Sequence, residues 1–123
     1  MQSKILQGID TVIVRVTDYS FSKKWYEEKL ELTPVWDDPI LKLAVMDTGS
    51  PTSITLWQTD SKIEVNRKTA SYPIFRILSA VEAHSALQKR GVRVSDIITD
   101  HAVTYFTFFD PDGNVLEACQ VHA

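Results

Sequence analysis

The stretch whose reading decides the fold is Phe108-Phe109-Asp110-Pro111-Asp112-Gly113-Asn114-Val115-Leu116-Glu117-Ala118-Cys119. It reads as strand, turn, strand. Pro111 fixes φ, Gly113 supplies a positive φ, and the Asx side chains can bond nearby backbone. Apolar residues on both sides make a hairpin the natural reading. Asp110 and Asp112 therefore belong to the turn rather than to an acid/base dyad. One residue breaks the apolar run that follows. Glu117 stands among Leu116, Ala118 and Cys119, and a carboxylate there must face water, a partner or a cavity.

Outward from this hairpin, the same vocabulary recurs along the chain. Gly8–Val16 is β-branched and reads as a strand, with Val12, Val14 and Val16 on one face and Thr11, Ile13 and Arg15 on the other. Asp18 or Ser20 can cap a helix over about 20–29, whose stripe is Phe21, Trp25, Tyr26, Leu30 and Leu32. Thr33-Pro34 ends it. Val35–Asp37, Ile40–Asp47 and Ser53–Gln58 read as three strands, separated by Asp37-Asp38-Pro39 and Thr48-Gly49-Ser50-Pro51. Polar residues 60–69 read as a surface linker. Ser71–Leu78 is the next strand, and Ala80–Arg90 is a helix carrying Val81, Ala83, His84 and Leu87, with Gly91 at its end. Val92–Ile98, Val103–Phe109 and Asn114–Val121 complete the chain as strands. Each half is thus β-α-β-β-β, an internal repeat. An offset of about 61 positions carries Thr11 onto Tyr72 and Arg15 onto Arg76, and nearly the same offset carries Thr55 onto Glu117.

The Asp110–Glu117 segment and the doubled βαβββ pattern together resemble the vicinal oxygen chelate superfamily, which includes glyoxalases, bleomycin-resistance proteins and extradiol dioxygenases. In that superfamily a D-P-D-G-N-x-x-E segment ends the second module, and its Glu is commonly the last metal ligand. The resemblance covers nearly the whole chain. It implies an α+β fold of two βαβββ modules forming a curved mixed sheet around a cavity, often completed by a dimer. It implies one domain spanning 1–123, with module 1 at about 5–59, a linker at about 60–69 and module 2 at about 70–121.

Many members hold a divalent metal by four side chains, two from the first strands of the modules and two from the last. The matching positions here are Thr11, Thr55, Tyr72 and Glu117, of which only Glu117 is an ordinary ligand. One carboxylate does not hold a catalytic ion against water, so no cofactor is expected; a divalent metal stays open as an alternative that the donor set does not support. His84, His101 and His122 read as helix-packing or surface histidines. What remains on the expected cavity face is aromatic with a few polar groups, as in a small-molecule pocket. Thr11, Ile13 and Arg15 come from the first strand, and Thr55 and Trp57 from the fourth. Tyr72, Ile74 and Arg76 come from the fifth, and Tyr105, Thr107, Glu117 and Cys119 from the last hairpin. Trp36 is placed at the mouth.

Arg15 reads two ways: a strand arginine snorkelling to solvent or paired with a carboxylate, or an anion anchor. In glyoxalase members the matching position is a substrate-binding arginine. Arg76 either joins it or neutralises Glu117. Trp36, Trp57, Tyr72 and Tyr105 stack on a flat ligand or pack a core or interface. Cys119 reads as a small hydrophobe, with no base beside it.

With 123 residues, a formal net charge of −3 and acids and bases interspersed, a broad nucleic-acid footprint is not expected. No apolar run is long enough to cross a bilayer and Met1–Asp10 shows no signal-peptide pattern, which makes the cytoplasm the default compartment. The single cysteine excludes an intrachain disulfide. Three functions stay open. The first is a metal-independent protein of the bleomycin-resistance kind, binding or sequestering an aromatic or anionic organic ligand, as a homodimer. The second is a glyoxalase-like lyase or isomerase, or a dioxygenase, with Glu117 as general base or residual metal ligand. The third is a regulatory module with a vestigial pocket.

Overall fold

The computed structural model of the chain describes residues 5–122. The first four residues of the Met1–Asp10 stretch, and residue 123, lie outside that description. The chain divides into two compact units, with the boundary between Asp60 and Ser61.

The first unit runs β1 (Thr11–Val16), α1 (Tyr19–Leu30), β2 (Thr33–Asp38), β3 (Leu43–Asp47) and β4 (Ser53–Gln58). Its strands are ordered β1-β4-β3-β2. The crossover through α1 leaves β1 parallel to β4, and tight turns make β3 antiparallel to both β2 and β4. Of the two expected caps it is Asp18 that starts α1, its carboxylate accepting from the Ser20 and Phe21 amides. Helix and sheet meet over Val14, Val16, Tyr26, Ala44, Met46, Ile54 and Leu56, all buried. The buried stripe of α1 is centred on Ser22 and Tyr26, while Phe21 is exposed. The i, i+4 pair that faces the sheet includes a small serine, which lets the helix approach closely while Tyr26 fills the space beside it.

The second unit runs β5 (Ile74–Arg76), α2 (Ala80–Lys89), β6 (Arg93–Val94), β7 (Ile98–Thr99), β8 (Val103–Phe109) and β9 (Val115–Val121). The order is β5-β9-β8-β6, with β7 also pairing β8. Strand β5 is shorter than the expected 71–78. Pro73 has no amide to give, yet its carbonyl accepts from the Glu117 amide at 3.2 Å, so the chain at Tyr72-Pro73 stays against β9 without forming regular strand. The strand expected over 92–98 is broken in two. Ser95 bonds Thr107 through both its amide and its hydroxyl, and regular pairing resumes only at Ile98.

Ser79 caps α2 through the Glu82 amide, and Gly91 takes the left-handed φ of 82° that ends it. The face of the sheet toward α2 carries Phe75, Phe106, Phe108, Leu116 and Ala118, by strand alternation and register. His84 stands edge-on to Phe106 with centroids 5.0 Å apart, and its Nε2 meets the Ser95 carbonyl at 2.9 Å. It is a packing residue, as read from its helical spacing. Val81, from the same stripe, is exposed. The α+β architecture of two βαβββ repeats is thus the observed one.

The repeat extends to the register of the strands. In the first unit Ile13 lies opposite Thr55 and Arg15 opposite Trp57. In the second, Ile74 lies opposite Glu117 and Arg76 opposite Cys119. One spacing therefore sets the same parallel pairing in both halves.

Candidate functional site

The decisive hairpin is built by its turn. The Asp110 Oδ1 accepts from the Asp112 and Asn114 amides at 3.0 and 2.9 Å, and its Oδ2 from the Asn114 side-chain amide at 2.9 Å. The Gly113 amide bonds the Asp110 carbonyl, with Gly113 at φ 82°. Asp110 is buried and fully occupied in shaping the turn, which fixes the register of β8 against β9. That register places Thr107 opposite Glu117 and Tyr105 opposite Cys119.

On the sheet face away from α2, the second unit therefore presents Ile74, Arg76, Tyr105, Thr107, Phe109, Val115, Glu117 and Cys119. Glu117 is only 8% exposed. Burial pushes its carboxyl above the ordinary range, and a hydrogen bond from the Tyr72 phenol partly opposes that shift; no cation acts on it. Arg76, also on this face, makes no ion pair with Glu117. Tyr105 and Cys119 are half-buried beside it.

The first unit's face away from α1 carries Thr11, Ile13, Arg15, Thr55 and Trp57, with Trp36 on β2 opposite Val45. Thr11 and buried Thr55 share a hydrogen bond of 2.8 Å between their hydroxyls. Arg15 lies over the Trp57 ring at 4.8 Å, donating to the Trp57 and Gln58 carbonyls. The Trp57 indole donates to the Leu41 carbonyl at 3.1 Å. Trp36 is exposed. In this unit Arg15 and Trp57 thus brace one another and the strand end.

A cavity of about 410 Å³ opens within the second unit, lined by Arg67, Tyr72, Arg93, Val94, Ser95, Thr107, Phe109 and Val115. Of the residues expected to line a site, Tyr72 and Thr107 are among them. Arg67, Arg93, Ser95 and Phe109 were missed by sequence reasoning. Two signals were there. Val92-Arg93-Val94 repeats the pattern of Val14-Arg15-Val16, and Phe109 continues the alternation of Tyr105 and Thr107. Arg67 gives no such signal, because it sits in the irregular 60–69 segment.

Among the described residues no group of three or more His, Cys, Asp or Glu is arranged to hold a metal ion. The side chains at the positions expected to match the family's ligands are a poor fit for a metal by their chemistry. Thr11 and Thr55 offer neutral hydroxyls bonded to each other, and Tyr72 offers a phenol already engaged with Glu117.

The family profile described as Glyoxalase/Bleomycin resistance protein/Dioxygenase superfamily matches residues 8–118. No curated protein matches the chain in sequence. Solved structures share its fold at low identity. TnmS3, an antibiotic binding protein from Streptomyces sp. CB03234, is 22% identical with a TM-score of 0.77, covering 98% of this chain and 100% of that one. FosX, a genomically encoded fosfomycin resistance protein from Listeria monocytogenes, is 15% identical with a TM-score of 0.79, covering 96% of each chain. A superfamily member from Sphaerobacter thermophilus DSM 20745 is 22% identical with a TM-score of 0.78, covering 95% of this chain and 99% of that one. With the doubled βαβββ repeat, the Asp110–Asn114 turn and the profile match in agreement, the chain belongs to the Glyoxalase/Bleomycin resistance protein/Dioxygenase superfamily.

Proposed function

We propose that the chain is a metal-independent small-molecule-binding protein, which holds an aromatic or anionic organic ligand on the open face of the second unit's sheet. One observation carries the reading. At the positions where relatives place metal ligands, the side chains of each unit are satisfied by one another, Thr11 with Thr55 and Tyr72 with Glu117. A neutral hydroxyl pair and a phenol–carboxyl pair are a poor donor set for a divalent ion. Tyr72, held by Glu117, suits a pocket wall that orients an organic molecule. The cavity beside Tyr72 supplies the space. The neighbours named for antibiotic binding and for fosfomycin resistance support a small molecule as the partner class. The proposal includes a homodimer in the cytoplasm, with no nucleic-acid or membrane partner. No helix among the described residues is long and apolar enough to cross a membrane.

Thermal denaturation with and without Ni²⁺, Mn²⁺ or Zn²⁺ tests it. The midpoint should stay in place with each ion. A large stabilisation that disappears in Glu117→Ala would defeat the reading.

A second reading follows from Glu117 itself. A buried carboxyl with a raised pKa and a phenol partner is suited to taking a proton. Lyase or isomerase turnover of a hemithioacetal, lost in Glu117→Gln, would establish that reading.

A further inference from the structure

We infer that the second unit's cavity takes a small organic dianion, gripped by Arg67 and Arg93, which both lie against the ring of Phe109. This rests on the small-molecule reading above and names the chemistry of the ligand. The two guanidinium carbons stand 4.1 and 4.8 Å from the centroid of the one Phe109 ring. Both side chains line the cavity. Ion pairs form at Lys23–Asp37, Lys24–Glu28 and Lys62–Glu64, and none of these includes either arginine. Two like charges are therefore held near one another, with the ring quadrupole as their shared partner. An anion in the cavity reaching both would offset that repulsion with charge-assisted hydrogen bonds, and planar guanidinium is shaped to give two at once.

The rest of the lining fits that assignment. The Ser95 and Thr107 hydroxyls are 2.6 Å apart, and Ser95 Oγ also accepts from the Thr107 amide at 3.0 Å. The Thr107 carbonyl is already served by the Ser95 amide at 2.8 Å. The Ser95 hydroxyl donates to that carbonyl as well, at 3.1 Å, which leaves the Thr107 hydroxyl to donate to Ser95 Oγ. Phe109, Val94 and Val115 give the body of the ligand an apolar wall. Glu117 is not among the lining residues, and Tyr72 holds its carboxyl. Two unpaired cations and an apolar wall call for two negative charges on one compact organic frame.

Isothermal titration at pH 8 and fixed ionic strength, with phenyl phosphate, benzoate and benzyl alcohol as probes, tests the inference. These share a ring and carry two, one and no negative charges. Affinity should fall in that order, by at least tenfold from the first to the last. Arg67→Gln and Arg93→Gln should each weaken phenyl phosphate at least tenfold and leave benzyl alcohol within twofold. Arg67→Lys and Arg93→Lys, which keep the charge and the packing stem, should lose less. Lys68→Gln makes the same change in net charge on an exposed neighbour and should change nothing. Equal affinity for the three probes, or arginine variants that bind phenyl phosphate like the parent, would overturn the dianion assignment and leave small-molecule binding standing. Failure of all three probes to bind at millimolar concentration would overturn both.

Discussion

Asp110→Ala removes the side chain that shapes the decisive hairpin. The hydrogen bonds it accepts from the amides of Asp112 and Asn114 and from the Asn114 side chain go with it. A hydrogen bond to a charged group contributes about 1.5–3 kcal/mol, and a neutral one about 1. The Asp112 and Asn114 positions are half-buried, so water can replace part of what is lost. A net loss of about 3 kcal/mol is the expected outcome. At an m-value of about 1.5 kcal/mol per molar urea, this moves the unfolding midpoint by about 2 M. Asp110→Asn keeps one acceptor oxygen for the two backbone amides, and should lose only about 1 kcal/mol. Far-UV circular dichroism is the readout, because Trp25, Trp36 and Trp57 all lie in the first unit and report on it alone. If Asp110→Ala and Asp110→Asn lose the same amount, or if the alanine variant loses under about 0.5 kcal/mol, the turn is not held by that carboxylate.

Two further outcomes follow from the pairs at the family ligand positions. Burial raises the Glu117 carboxyl above its ordinary value of 4.5, so the folded state holds that proton more tightly than the unfolded one. Stability should therefore be highest below the ordinary value and be lost as pH rises through the raised one. Glu117→Gln, followed by urea unfolding from pH 4 to 8, should remove that loss, and a parent chain with no such pH dependence would contradict it. Thr11→Val should cost about 1–2 kcal/mol by leaving the buried Thr55 hydroxyl without its 2.8 Å partner. The Thr11→Val/Thr55→Val double variant should recover most of that in a double-mutant cycle, and additive losses would show that the two hydroxyls do not depend on each other.

Most of the fold was legible because it was written twice. The alternation in Thr11–Val16 and in Val103–Phe109 fixed which side chains face the helices, and the Asp110–Asn114 turn fixed the last register. The common offset of the repeat, which carries Thr11 onto Tyr72 and Thr55 onto Glu117, is matched by the observed pairings of Ile13 with Thr55 and Ile74 with Glu117. The losses came where backbone bonding overrides pattern. Pro73 cut β5 short at its start, and the Ser95–Thr107 bonds split the strand before β7.

The candidate site was legible only in part for a related reason. Tyr72, Thr107 and Glu117 lie on or beside regular strands, where period two assigns a face. Arg67 reaches Phe109 from an irregular segment, and no periodicity announces a side chain delivered that way. Arg15 shows the converse limit. Its strand position was read correctly, while its hydrogen bonds to the Trp57 and Gln58 carbonyls depend on where a parallel neighbour ends.

Ligand affinity measured before and after exhaustive chelation tests the central claim most directly. Protein dialysed against EDTA should bind phenyl phosphate with the same Kd as untreated protein, and added Mn²⁺, Ni²⁺ or Zn²⁺ should leave it unchanged. Binding that disappears on chelation and returns with one of those ions would contradict the account.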